Sequence, residues 1–197
     1  MNEDQYLIAK YIKDYCLESP KEGFYLGKLP GARYKSQYYL SRLLYNTELM
    51  DKVCGEFVRL VKEKIGNFDF QICGREWSAI PLIVHVSRYL YNEGILVNSF
   101  MVKRKMKSYG NHSFIEGIPN EKPCLIMDDV CNSTNSFIHI ERILRNKNIE
   151  TVPFIFAVLD KFRYEGDVPE IRYDRYLGSS HETISILTGD DIAASIN

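Results

Sequence analysis

Apolar positions recur at helical spacing twice near the start of the chain, and then the pattern changes to short apolar runs. Tyr6, Leu7, Tyr11, Ile12 and Tyr15 fall on one face of a helix. Leu49, Met50, Val53, Phe57, Leu60 and Val61 mark a second helix, with Asn46 or Thr47 as its cap and Gly66 as its stop. From Phe68 onward strands alternate with helices. Phe68 to Cys73 is expected to be a strand, Ile80 to Leu90 a helix with Pro81 in its first turn, and Ile95 to Val102 a strand. Cys124 to Met127 is a short, wholly apolar strand of the kind buried on both faces. Phe137, Ile138, Ile140, Ile143 and Leu144 predict the helix after it, and Thr151 to Leu159 and Thr183 to Leu187 predict two further strands. This alternation predicts an α/β fold with a parallel central sheet flanked by helices. The tyrosine-rich stretch from Phe24 to Tyr45 fits the alternation poorly and is expected to form a small cap over the carboxyl edge of the sheet.

Composition narrows the function classes. A chain of 197 residues is long enough for one sizeable core and short for two domains. A net charge of −1 supplies no global attraction for nucleic acid or membrane. No apolar run approaches the roughly 20 residues of a spanning helix. The acidic, amphipathic N-terminus has no signal-peptide pattern, so a cytoplasmic location is expected. The five cysteines form no C-x-x-C pair, which points to a reducing compartment without a zinc site. Cys131 sits beside carboxylates, which would raise its pKa and argue against a reactive thiolate.

The chemistry concentrates in CLIMDDVCNSTNS, residues 124–136. An apolar strand drives into two adjacent acids, Asp128 and Asp129, and small polar residues lead on to a helix N-terminus. Ligands of open parallel sheets bind beyond the carboxyl ends of the strands. The following helix start offers unpaired N–H groups to an anion. Carboxylates for sugar hydroxyls and an amide-lined loop for a phosphate would suit one sugar phosphate. The plain alternative is a loop start followed by a helix cap.

The same stretch resembles the phosphoribosyl-pyrophosphate motif of the type I phosphoribosyltransferases. By that resemblance Asp128 and Asp129 hold the ribose hydroxyls, and Asn132, Ser133, Thr134, Asn135 and Ser136 cradle the 5′-phosphate. Thr134 and Asn135 stand where the family usually has glycines. Residues 101–117, MVKRKMKSYGNHSFIEG, resemble the basic catalytic loop of orotate phosphoribosyltransferases. Lys103, Arg104 and Lys107 then become cations for the departing pyrophosphate, and Tyr109 replaces a histidine. Alone, this run reads as a solvated basic hairpin or a patch touching nucleic acid phosphates. Residues 74–81, GREWSAIP, resemble the pyrophosphate-contacting loop, with Trp77 matching its aromatic position and Ser78 replacing its lysine. Arg75 is the cation that could take the lysine's place. Residues 24–40 resemble the family's N-terminal hood, with Lys28 or Lys35 as a cation and Tyr38 and Tyr39 as base-stacking residues. Residues 154–161 and 185–192 resemble later family strands and a short terminal helix.

The resemblance covers nearly the whole chain in order. It implies a type I phosphoribosyltransferase fold in a single domain, with a hood over residues 1–45 and a core over 46–197. It implies phosphoribosyl transfer from phosphoribosyl pyrophosphate to a pyrimidine-like base, orotate by resemblance, with Mg2+ accompanying the pyrophosphate rather than a direct protein metal site. It also implies a homodimer, with no membrane or nucleic acid partner. The departures at Ser78, Tyr109, Thr134 and Asn135 all fall at chemistry positions. They keep a second reading open, a nucleotide-binding regulatory or defence module acting through a protein partner.

Overall fold

The computed structural model describes residues 1–19, 25–26, 33–34, 37–105, 113–131, 135–161 and 181–195. Helix α1, Glu3–Tyr11, starts earlier than its apolar spacing suggests because Asn2 and Gln5 form a reciprocal capping box. It runs on as a wider π turn, Ile12–Cys16. Four two-residue strands follow: β1 (Leu17–Glu18), β2 (Tyr25–Leu26), β3 (Arg33–Tyr34) and β4 (Gln37–Tyr38). They pair antiparallel as β1 with β4 and β2 with β3, so the tyrosine-rich segment forms two small ribbons. A short helix α2, Ser41–Leu44, leads into α3, Thr47–Lys64. Asn46 caps α3 by accepting from the Leu49 amide, and the helix ends in a turn closed by Gly66 at φ +86°.

The main sheet begins at β5, Gln71–Arg75, three residues later than its apolar pattern suggests. Then come α4 (Ala79–Asn92), β6 (Ser99–Val102), β7 (Ile115–Glu116), β8 (Cys124–Cys131), α5 (Asn135–Asn146), β9 (Thr151–Asp160), β10 (Glu182–Thr188) and α6 (Gly189–Ala194). The six strands lie in the order β10-β9-β8-β5-β6-β7 and are parallel except for the β6–β7 edge pair.

The two faces are covered unequally. Leu125 and Met127 pack with side chains of α1, α3 and α4, whereas Cys124 and Ile126 pack with Phe137, Ile140 and Leu144 of α5. Successive β8 side chains thus go to opposite layers, as the pleat requires. Beneath the sheet, the fully buried Gln71 donates to the carbonyls of Asn120 and Lys122 and accepts from Asn98 and the Asn120 amide, which sets the approach to β8. Among the described residues, no helix is long and apolar enough to cross a membrane.

Two consequences position the site. The chain steps outward from β5 to β6 in one direction and to β8 in the other, so a switch point opens above the β5 and β8 carboxyl ends. In addition, β8 does not stop at Met127, where its apolar run ends. Its last rung with β5 is Gly74–Met127, but it pairs with β9 as far as Cys131–Asp160. The two acids therefore lie within a strand, one side of which has just lost its neighbour.

Candidate active site

Gly74 brings β5 and β8 close together. A Cβ built there would lie 2.6 Å from the Met127 carbonyl oxygen, so this position excludes any larger residue. After Arg75 the chain leaves the sheet as a short loop, Glu76–Ser78, whose Glu76–Trp77 peptide is cis. Ser78 is the N-cap of α4, yet it makes no capping bond. Its hydroxyl instead donates to Asp128 Oδ1 at 2.9 Å. The helix thereby gives up a cap interaction worth about 1 kcal/mol so that the hydroxyl can hold the acid.

Asp128 is 4% exposed. Its Oδ1 accepts from Ser78 and also from the Asp129 amide at 3.0 Å. Burial and then the neighbouring charge of Asp129 push its pKa from 3.8 up to about 8, against the smaller opposing pull of the Ser78 bond. Burial and the neighbouring Asp129 charge therefore favour the protonated form of Asp128 at neutral pH, and Oδ1 is the oxygen that holds the two donors. Asp129 is half-buried, and its Oδ1 accepts from the Val130 amide at 2.9 Å. The pair presents one carboxylic acid and one carboxylate, a donor and an acceptor side by side. The Cys131 thiol is pushed well up, first by burial and then by Asp160 and Asp128, so burial outweighs the carboxylates as the cause. All five cysteines are free and buried.

The base of the basic segment is held firmly. Lys103 is 3% exposed, and its ammonium lies 2.8 Å from Glu116 Oε1 on β7. Its amide donates to the Phe114 carbonyl, and its own carbonyl contacts His139 Nε2 of α5 at 3.0 Å. The structure thus gives this lysine an ion pair at the sheet edge, which its place in a basic run did not reveal. Arg104 is exposed, and its amide donates to Glu76 Oε1 at 2.9 Å. Trp77 is 83% exposed on the same loop.

In the tyrosine-rich segment, the Tyr38 ring centroid lies 5.5 Å from Lys161 Nζ. Lys161 follows Asp160 at the end of β9, and both are buried. A charged pair ending an apolar strand is the same signal that singles out Asp128 and Asp129. The Arg42 guanidinium lies 5.4 Å from the Tyr39 ring. Ser136 is half-buried in the first turn of α5, and Asn135 is the first residue of that helix. Lys28, Lys35, Lys107, Tyr109, Asn132, Ser133 and Thr134 lie outside the described residues, as does the side chain of Asn135. The structure therefore brings Asp128, Asp129 and Ser78 into contact and joins Arg104 to them through Glu76. The Lys103 ammonium is paired with Glu116, and the Tyr39 ring with Arg42.

No protein-family model matches the chain, and no curated protein sequence matches it. Solved structures do. An orotate phosphoribosyltransferase from Aeropyrum pernix superposes with a TM-score of 0.72 at 18% identity, covering 96% of this chain and 97% of its own. A phosphoribosyltransferase from Corynebacterium diphtheriae gives a TM-score of 0.72 at 18% identity, covering 98% and 99%. The Mycobacterium tuberculosis H37Rv orotate phosphoribosyltransferase in complex with 5-phospho-alpha-D-ribosyl 1-diphosphate gives 0.63 at 15%, covering 98% and 93%. The chain has the fold of the type I phosphoribosyltransferases from end to end.

Proposed function

We propose that this protein transfers a 5-phosphoribosyl group from phosphoribosyl pyrophosphate to a ring nitrogen of a pyrimidine-like base, orotate by resemblance. The observation that carries the reading is the acid pair at the switch point, with the buried Asp128 held by Ser78. A neutral acid beside a carboxylate matches two vicinal hydroxyls, each of which can both donate and accept. Asp128 donates from Oδ2 to one ribose hydroxyl, and Asp129 accepts from the next. In the transfer, the bond from the anomeric carbon to the pyrophosphate oxygen breaks and its electron pair leaves with the pyrophosphate. The base nitrogen supplies the new bond, and its proton passes to solvent. The Asp129 carboxylate stabilises the positive charge that develops on the ribose ring.

On the leaving-group side, Arg104 and Arg75 are the cations proposed to meet the diphosphate. Near the hood, the Tyr38 ring beside the Lys161 ammonium suits a planar, anionic base. Among the described residues no group of three or more metal-ligating side chains occurs. A magnesium ion would arrive with the diphosphate and would be held by one or two protein carboxylates. Bound there, the ion would neutralise charge on the diphosphate. A homodimer is part of the proposal. The outward face of α4 supports it, because Val84 and Tyr91 are exposed there and Trp77 stands at its start.

The deciding assay follows pyrophosphate release from phosphoribosyl pyrophosphate with magnesium and a panel of bases. Base-dependent release that is lost in Asp128→Asn/Asp129→Asn supports transfer. A second reading, ligand binding without turnover in a regulatory module, is favoured by one observation. Ser78 stands at the expected lysine position with its hydroxyl spent on Asp128, and the Lys103 ammonium is held by Glu116. Saturable binding with no release for any base would select it.

A further inference from the structure

The Glu76–Ser78 loop is bonded at both ends to elements of the candidate site. Ser78 Oγ donates to Asp128, where the sugar would lie. Two residues earlier, the Glu76 amide donates to the Val102 carbonyl at 3.1 Å, adding one rung beyond the Arg75–Val102 pair. Its carboxylate then accepts the Arg104 amide at 2.9 Å. From the other sides, Phe114 takes the Lys103 amide and His139 meets the Lys103 carbonyl. Four consecutive main-chain groups, from the Val102 carbonyl to the Arg104 amide, are thus engaged, and Glu76 engages two of them. An acid in a loop facing a diphosphate should repel it unless the carboxylate is committed elsewhere. Here it is committed to a main-chain donor.

We infer that Glu76 is a positioning residue: its carboxylate latches the Arg104 backbone to the loop that carries Ser78, so the acid pair and the first exposed cation of the basic segment are held at a set spacing. The latch itself needs no ligand. Its consequence for diphosphate binding rests on the function proposed above. The Gln side chain keeps the carbonyl acceptor and loses the charge, whereas Ala loses both, and this separates a latch from a mere surface acid.

Two readouts on the full-length protein test this. The first is amide hydrogen exchange at Arg104. The second is binding of inorganic pyrophosphate with Mg2+, followed by the fluorescence of Trp77, the single tryptophan. Glu76→Ala should speed Arg104 exchange by about tenfold or more and weaken pyrophosphate by about five- to thirtyfold, with ribose 5-phosphate binding within about twofold of wild type. Glu76→Gln should stay within about threefold of wild type in both readouts. Unchanged Arg104 exchange in Glu76→Ala would overturn the latch. So would a matched tightening of pyrophosphate in both variants, which marks a simple repelling charge. If Arg104 exchange responds as expected while wild type binds no pyrophosphate, the latch stands and the diphosphate reading falls.

Discussion

Replacing Asp128 with Asn isolates the cost of keeping this acid in the strand. Folding raises its pKa from 3.8 to about 8. The folded protein therefore holds a proton between about pH 4 and pH 8 that the unfolded chain has released. The stability from this group is fully present below about pH 4 and is lost as pH rises through about 8. At about 1.4 kcal/mol per tenfold change in proton affinity, the full span is on the order of 5 kcal/mol. Part of it belongs to the Asp129 charge rather than to Asp128 alone. Asn keeps Oδ1 for Ser78 and the Asp129 amide and places an N–H near Asp129, as the protonated acid does. Urea denaturation from pH 5 to pH 9 checks this. At pH 5 the variant should lead by about 1–2 kcal/mol, and by pH 9 that lead should grow by about a further 2–4 kcal/mol. Parallel curves across the range would refute the reasoning, because they would show that Asp128 does not hold a proton in the folded state.

Ser78→Ala removes a bond that opposes the rise at Asp128, so the acid should titrate higher still. Sugar-phosphate affinity should fall by about 1–3 kcal/mol in calorimetry, and loss of the bond to buried Asp128 should cost about 1 kcal/mol in thermal unfolding. Gly74→Ala forces a methyl against the Met127 carbonyl and should cost about 1–3 kcal/mol or more in thermal unfolding. Lys103→Met removes an ammonium held by Glu116, so pyrophosphate affinity should change less than about twofold, against a loss of about tenfold for Arg104→Ala in the same titration. Because the neutral form of Asp128 is the one that donates to the ribose, binding of phosphoribosyl pyrophosphate with magnesium near pH 8 should take up a proton, and the calorimetric enthalpy should then depend on the buffer's ionisation heat.

The helices and the order of strands were legible because burial imposes its periods on side chains. Val53, Phe57, Leu60 and Val61 are all core, and so are Leu125, Ile126 and Met127. The start of α1 was legible as well, in the Asn2–Gln5 spacing of a capping box, a signal that the apolar count passed over. Strand ends were less so. Acids read as a loop start, yet β8 continues through them because β9 supplies further rungs at Ala157, Leu159 and Asp160. In the site, the type of Asp128 and Asp129 was informative from sequence, but the partners of neighbouring groups were not. Nothing in KRK distinguishes a lysine buried on Glu116 from an arginine at the surface, because that difference depends on a two-residue strand, β7, with no periodicity of its own. Glu76 was silent for the same reason: its role lies in a contact 28 residues away.

The two acids also shape what the sheet can do where β8 loses β5. A strand with an uncovered side offers main-chain donors to any passing peptide, and such edges invite strand addition and aggregation. Here the amides of Asp129 and Val130 are already occupied by the carboxylates of the residues before them. Successive amides of a strand point to opposite sides, so a stray peptide would meet one of these two, already occupied, and would lay its own backbone beside two acids. The residues that make the crevice a candidate pocket for a sugar thus also block it as a docking place for another chain.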